Sequence, residues 1–161
     1  MSINDRKATI FVTRRIPQIG LDMLRKRYEV IVSPHERVLT KGELIDGVSS
    51  ADGLLCLLTD RIDESIMDAS PWLKVIGNYA VGYNNIDVEA ATRRGIQVTN
   101  TPGVLTDTTA DLAWALIMAV GRRVVEGDSF IRAGHFSGWD PMLLLGRDIS
   151  GRTLGIIGMG R

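Results

Sequence analysis

Within the first hundred residues, short apolar runs alternate with segments of helical spacing. That alternation restricts the fold more than any other feature. Ala8–Thr13, Glu29–Val32, Gly53–Leu58, Lys74–Asn78 and Ile96–Thr99 read as strands. Between them, Ile16–Arg27 reads as a helix with Pro17 in its first turn, where a missing N–H costs little. Thr40-Lys41-Gly42-Glu43 has the form of a capping box that opens a helix to about Val48. Asp63–Ala69 is a short helix. Asp87 caps another that runs to Arg94, with Gly95 in the position after its end. The third strand is apolar without interruption, as a strand covered on both faces should be. Strand and helix in this order imply parallel βαβ units with helices on both faces of an open sheet. The predicted fold is therefore α/β, a doubly wound parallel sheet.

Composition removes several alternatives. The 161 residues carry 19 basic and 19 acidic side chains, with no long run of either sign, which argues against a nucleic-acid or membrane-surface binder. Apolar residues make up 45% of the chain, enough for a sizeable core. The one cysteine, Cys56, lies in the run Gly53–Leu58 and reads as a buried thiol in a reducing compartment; no ligand set for a metal accompanies it. The first residues carry no signal-peptide pattern, so a cytoplasmic location is expected. Ala110–Val120 is apolar apart from Asp111, but it has about half the roughly 20 residues that a membrane span needs. It suits a helix buried in a core or an interface.

Beyond Asn100-Thr101-Pro102-Gly103 the pattern changes. One long helix is predicted from about Thr106 to Ala133, with Gly121 marking a bend or a close contact and Gly134 ending it. A loop follows to Asp148. Thr153–Ile157 then reads as a strand running into Gly158-x-Gly160.

Three segments could carry chemistry. Gly158-x-Gly160 after a strand matches the start of a dinucleotide turn, where one glycine permits the turn and the next lets backbone approach a pyrophosphate; the alternative is a plain glycine-rich turn. Asn78–Asp87 joins a strand to a capped helix, at the end of the sheet where open α/β folds bind ligands. Backbone N–H groups around Gly82 could form an anion nest, or Gly82 could simply satisfy a turn. Thr106, Thr108, Thr109 and Asp111 open the long helix, either as caps alone or as ligand contacts.

Taken together, Val81-Gly82-Tyr83-Asn84-Asn85-Ile86-Asp87, Gly95–Gly103, Thr106–Ala113 and Gly151–Arg161, with Arg14-Arg15-Ile16-Pro17 near the start, resemble the D-isomer-specific 2-hydroxyacid dehydrogenases. The likeness is greatest to their glyoxylate/hydroxypyruvate reductase branch. It implies a flavodoxin-like substrate-binding lobe over residues 1–100, lacking the C-terminal helix that completes it in the family. Residues 101–161 would be the start of a Rossmann lobe that binds NAD or NADP, with its dimerisation helix at about 106–133 and its first strand at about 153–157. The resemblance assigns the substrate carboxylate to the backbone at Val81 and Gly82, a pocket wall to Leu57, and cofactor contacts to Thr109, Gly158, Gly160 and Arg161. The substrate would be a small 2-keto acid such as glyoxylate or hydroxypyruvate, and the helix from Thr106 would form a homodimer. The family's catalytic Arg, Glu and His would lie beyond position 161. His35 and His135 fall in no matching motif and read as surface or packing residues. The chain therefore resembles a C-terminally truncated enzyme, inactive alone. A different class of function, a non-catalytic dimerisation or dinucleotide-sensing module of the same fold, is the alternative. A phosphorylated receiver domain shares the topology but would want acidic residues after its early strands, where Thr13 and Arg14 stand instead.

Overall fold

Residues 6–160 are described by the computed structural model. It divides after Gly103 into two units. In the first, the elements follow the order β1 (Thr9–Val12), α1 (Gln18–Arg25), β2 (Glu29–Val32), α2 (Lys41–Val48), β3 (Gly53–Leu57), α3 (Glu64–Asp68), β4 (Val75–Tyr79), α4 (Val88–Arg93) and β5 (Gln97–Thr99). The strands form one five-stranded sheet in the order β2-β1-β3-β4-β5. Every pairing is parallel. This is the doubly wound sheet that the alternating pattern predicts, in the flavodoxin-like strand order that the resemblance implies.

The two faces of the sheet are covered unequally. Phe11, Leu54, Cys56 and Ile76 face one way, into a core with Leu44 and Val48 of α2, Ile66 and Met67 of α3, and Ala90 and Ala91 of α4. On the other face Val12 packs with Ile16 and with Leu21 of α1, joined by the partly buried Ile10, Val30, Val32 and Leu55. Within this unit α1 alone lies there, and the β4–β5 end of that face keeps Tyr79, Gln97 and Thr99 exposed.

Local chemistry explains the helix ends. Thr40 and Glu43 form the capping box of α2: the Thr40 hydroxyl accepts from Glu43 N–H, and the Glu43 carboxylate accepts from Thr40 N–H at 2.8 Å. Asp63 caps α3 by accepting from the N–H groups of Ser65 and Ile66. Hydrogen bonds from the Ser65 hydroxyl and the Lys41 ammonium, in that order of weight, hold its carboxyl down at about 2. Asp87 caps α4 through Ala90 N–H at 2.8 Å, and Gly95 follows with φ +67°. Helix α1 is shorter than its pattern suggests: Pro17 is its N-cap rather than a first-turn residue.

The second unit corrects two expectations. The single helix over 106–133 is two, α5 (Thr106–Gly121) and α6 (Val124–Arg132). The break has a hydrogen-bond cause. Arg147 N–H takes the Gly121 carbonyl at 2.7 Å, the acceptor that residue 125 would use in a continuous helix. Arg123 turns left-handed at φ +54°. Gly146 makes the approach possible, because a Cβ there would sit 2.7 Å from Gly121 O. Second, residues 153–157 form no strand, and all five are exposed. A strand needs a neighbour to take its N–H and C=O groups, and none of the described strands pairs with this segment, so these groups stay accessible to water. Neither α5 nor α6 contains a buried residue. Among the described residues, no helix is long and apolar enough to cross a membrane.

Candidate functional site

The carboxyl ends of β3 and β4 gather a set of buried polar groups around one exposed loop. Asn78, next to last in β4, is 2% exposed. A buried amide must find hydrogen-bond partners. Its Nδ2 donates to Gly82 O at 2.8 Å and to Asn85 Oδ1 at 2.9 Å. Asn85 in turn donates to Asp60 O at 2.9 Å and to Leu57 O at 3.2 Å, tying the loop to the end of β3. Asp60 is fully buried. Its Oδ2 accepts from the Thr13 hydroxyl and from Leu57 N–H, so β1, β3 and the turn between Leu57 and Asp60 are held by one carboxylate. Asp60 Oδ1 faces Arg14, whose Nη2 lies 3.9 Å away and also donates to the Thr59 hydroxyl. Arg14 Nε and Asp60 Oδ1 are buried without a hydrogen-bond partner. Below them Cys56 is fully enclosed, and burial first, then the charge of Asp60, pushes its thiol up to about 12.

The loop itself shows a regular pattern. Ala80 O accepts from Thr101 N–H at 2.9 Å, Val81 O from Asn100 Nδ2 at 2.7 Å, and Gly82 O from Asn78 Nδ2. In a trans peptide the C=O of one residue and the N–H of the next point in opposite directions. Three successive carbonyls drawn into the protein therefore turn the N–H groups of Val81, Gly82 and Tyr83 away from it. Among the described residues these three donors have no acceptor. Val81, Gly82, Tyr83 and Asn84 are all exposed. Gly82 has no positive φ, and a Cβ on it would meet nothing within 4 Å. The turn does not require glycine at 82, either for its backbone angles or for space.

Of the residues singled out from the sequence, Leu57, Val81 and Gly82 come together at this rim; Leu57 is half-buried at the end of β3. Thr109 is exposed in α5, in the other unit. The expectation that Thr106, Thr108, Thr109 or Asp111 caps that helix fails, since its N-cap is Leu105 and no side chain caps it. Gly158 takes φ +81°, and a Cβ at Gly160 would meet nothing within 4 Å. The strand expected to lead into Gly158-x-Gly160 is absent among the described residues. Arg161 lies outside the described residues. His35 stands at the surface with Nε2 3.3 Å from Glu43 Oε1, and His135 packs edge-on against Phe130, 5.6 Å between ring centres. Within the first unit, His35 does not meet the rim groups. Asn85, Asn100, Asp60 and Thr13 went unrecognised in the sequence. Asn78 reads in the sequence as the end of the fourth strand and the start of a loop, not as the anchor of that loop. Its signal was a polar side chain inside a buried strand pattern.

Comparison with known proteins places the chain in a family. Residues 10–146 match the model of the D-isomer specific 2-hydroxyacid dehydrogenase catalytic domain. A glyoxylate reductase of Thermococcus gammatolerans is 50% identical over 159 residues, covering 96% of this chain and 48% of the relative. One from Korarchaeum cryptofilum is 52% identical over 156 residues, with 96% and 47% covered. Among solved structures, a protein from Thermus thermophilus superposes with a TM-score of 0.89 at 51% identity, covering 94% of this chain and 49% of that one. The NADPH-dependent glyoxylate/hydroxypyruvate reductase of Sinorhizobium meliloti, solved with NADP and malonate, superposes at 0.74 and 29% identity, with 96% and 47% covered. The chain thus spans about half the length of the relatives it matches. It belongs to the D-isomer specific 2-hydroxyacid dehydrogenase family.

Proposed function

We propose that this chain supplies the carboxylate-gripping part of an oxidoreductase that moves a hydride between NAD(P)H and a small 2-keto acid, glyoxylate or hydroxypyruvate. The observation that carries this reading is the row of three N–H groups at Val81, Gly82 and Tyr83 without acceptors among the described residues. A row of backbone donors suits a carboxylate, because charge-assisted hydrogen bonds to an anion are stronger than neutral ones and need no side chain to be immobilised. Leu57 forms a wall beside it.

NAD or NADP, when bound, supplies the hydride, with Thr109, Gly158, Gly160 and Arg161 as the contact candidates in this chain. The chain's own residues bind and orient the acid. Within the first unit His35 stands beside Glu43, away from the rim, and a general acid typically contributes ~10²–10⁴ in rate. The 161 residues alone are accordingly expected to bind the acid without turning it over. Helix α5, with Leu112, Trp114, Leu116, Met118 and Val120 exposed, supports a homodimer. A purely dinucleotide-sensing module would need no carboxylate row, so the rim favours the enzyme reading.

Oxalate, a dicarboxylate that cannot be reduced in this way, tests the grip. Titrated into the ¹⁵N-labelled chain, it should shift the Val81, Gly82 and Tyr83 amides. Gly82→Val should leave the fold intact and weaken oxalate binding by about tenfold or more, the equivalent of one charge-assisted hydrogen bond. Oxalate shifts confined to other parts of the chain would refute the reading.

A further inference from the structure

Asn78 touches no ligand in the proposed grip, yet its place in the hydrogen-bond chain gives it a distinct duty. We infer that Asn78, braced by Asn85, is a positioning residue that sets the direction of the carboxylate-binding N–H row; this rests on the carboxylate reading above. Asn78 Nδ2 has two hydrogens, and both are committed: one to Gly82 O at 2.8 Å, the other to Asn85 Oδ1 at 2.9 Å. The first bond fixes the peptide between Gly82 and Tyr83, and so the aim of the Tyr83 N–H. The second prevents the amide from flipping, because Asn85 is itself held by the Leu57 and Asp60 carbonyls. Those carbonyls belong to a turn fastened through the Asp60 carboxylate to Leu57 N–H and to Thr13, the residue just past the end of β1. The aim of a surface loop is thus referred, through two amides and one carboxylate, to the middle of the sheet. On its outer side the loop is held by Asn100 and Thr101, which leaves Asn78 as the buried anchor.

A residue that served packing alone would tolerate a near-isosteric replacement without change in ligand affinity. Asn78→Leu keeps the approximate volume, adds no charge and removes both donors. For the full 161-residue chain, the oxalate dissociation constant should rise about tenfold or more, measured well below the melting temperature, while the amide spectrum of β1–β3 stays in place. Unchanged affinity in a folded Asn78→Leu chain overturns the inference and leaves the carboxylate reading standing. No oxalate response in the unsubstituted chain overturns the carboxylate reading and this inference with it. Should the variant fail to fold, the unsubstituted chain still decides. The Asn78 side-chain amide protons should exchange with solvent at least tenfold more slowly than those of exposed Asn84, and should shift when oxalate binds. Exchange as fast as that of Asn84, or no shift, overturns the inference.

Discussion

Cys56 illustrates how a single side chain records its surroundings. It is sealed beneath the rim, and burial, helped by the nearby charge of Asp60, moves its thiol from an ordinary value of 9.0 up to about 12. A raised thiol means that the folded chain prefers the protonated form. Its contribution is therefore intact below pH 9 and is lost as pH climbs toward 12, where the unfolded thiol ionises first. The slope from this one group is at most about 1.4 kcal/mol per pH unit. Urea midpoints taken at about pH 8 and about pH 11 should fall less in Cys56→Ala than in the parent chain, and iodoacetamide should label the parent only on unfolding. At this scale the sequence was partly legible. A lone cysteine in an apolar run already read as buried. The roles of Asn85, Asn100 and Asp60 did not, because each depends on a carbonyl or hydroxyl far away in sequence. Asp60 meets Thr13 across 47 positions, and no local pattern announces such a meeting.

Elements were more readable than residues because period and punctuation are local. All five strands of the sheet stand where apolar runs predicted them, and the Thr40–Glu43 box and the Asp87 cap act as read. The failures share one cause, the need for a distant partner. Helical spacing persists through Arg122 and Arg123, yet Arg147 takes the carbonyl that would continue the helix. Thr153–Ile157 has strand composition but no neighbour to pair with. Contact between elements also decides which glycines matter. In α2, a Cβ at Gly47 would fall 2.2 Å from the Phe11 ring, so helix and strand are as close as they can be. Gly47→Ala should cost ~1–3 kcal/mol by overpacking despite its better helix propensity. Urea denaturation should show this loss, and Phe11→Leu in the same chain should recover part of it.

For the whole molecule the informative contrast lies between a unit with a core and one without. Residues up to Gly103 enclose two apolar clusters, whereas α5 and α6 bury nothing. Apolar helix faces left open in this way seek cover. If a second copy provides it, light scattering should give twice the monomer mass, and Leu116→Glu should restore the monomer; a parent chain that stays monomeric at micromolar concentration would refute the dimer. Within the first unit the uneven layering of the sheet has a mechanical result. Strands β1 and β3 are clamped between helices, while β5 is three residues long at an edge with one face bare. Rigidity must fall from the middle of the sheet toward that edge, since resistance to local opening follows the apolar contact around a segment. Strand β4 occupies the border. The loop it carries is rooted on its stiff side through Asn78 and on its pliant side through Asn100, so distortion of the bare flank reaches the N–H row first through Val81, while the Asn78 side holds still.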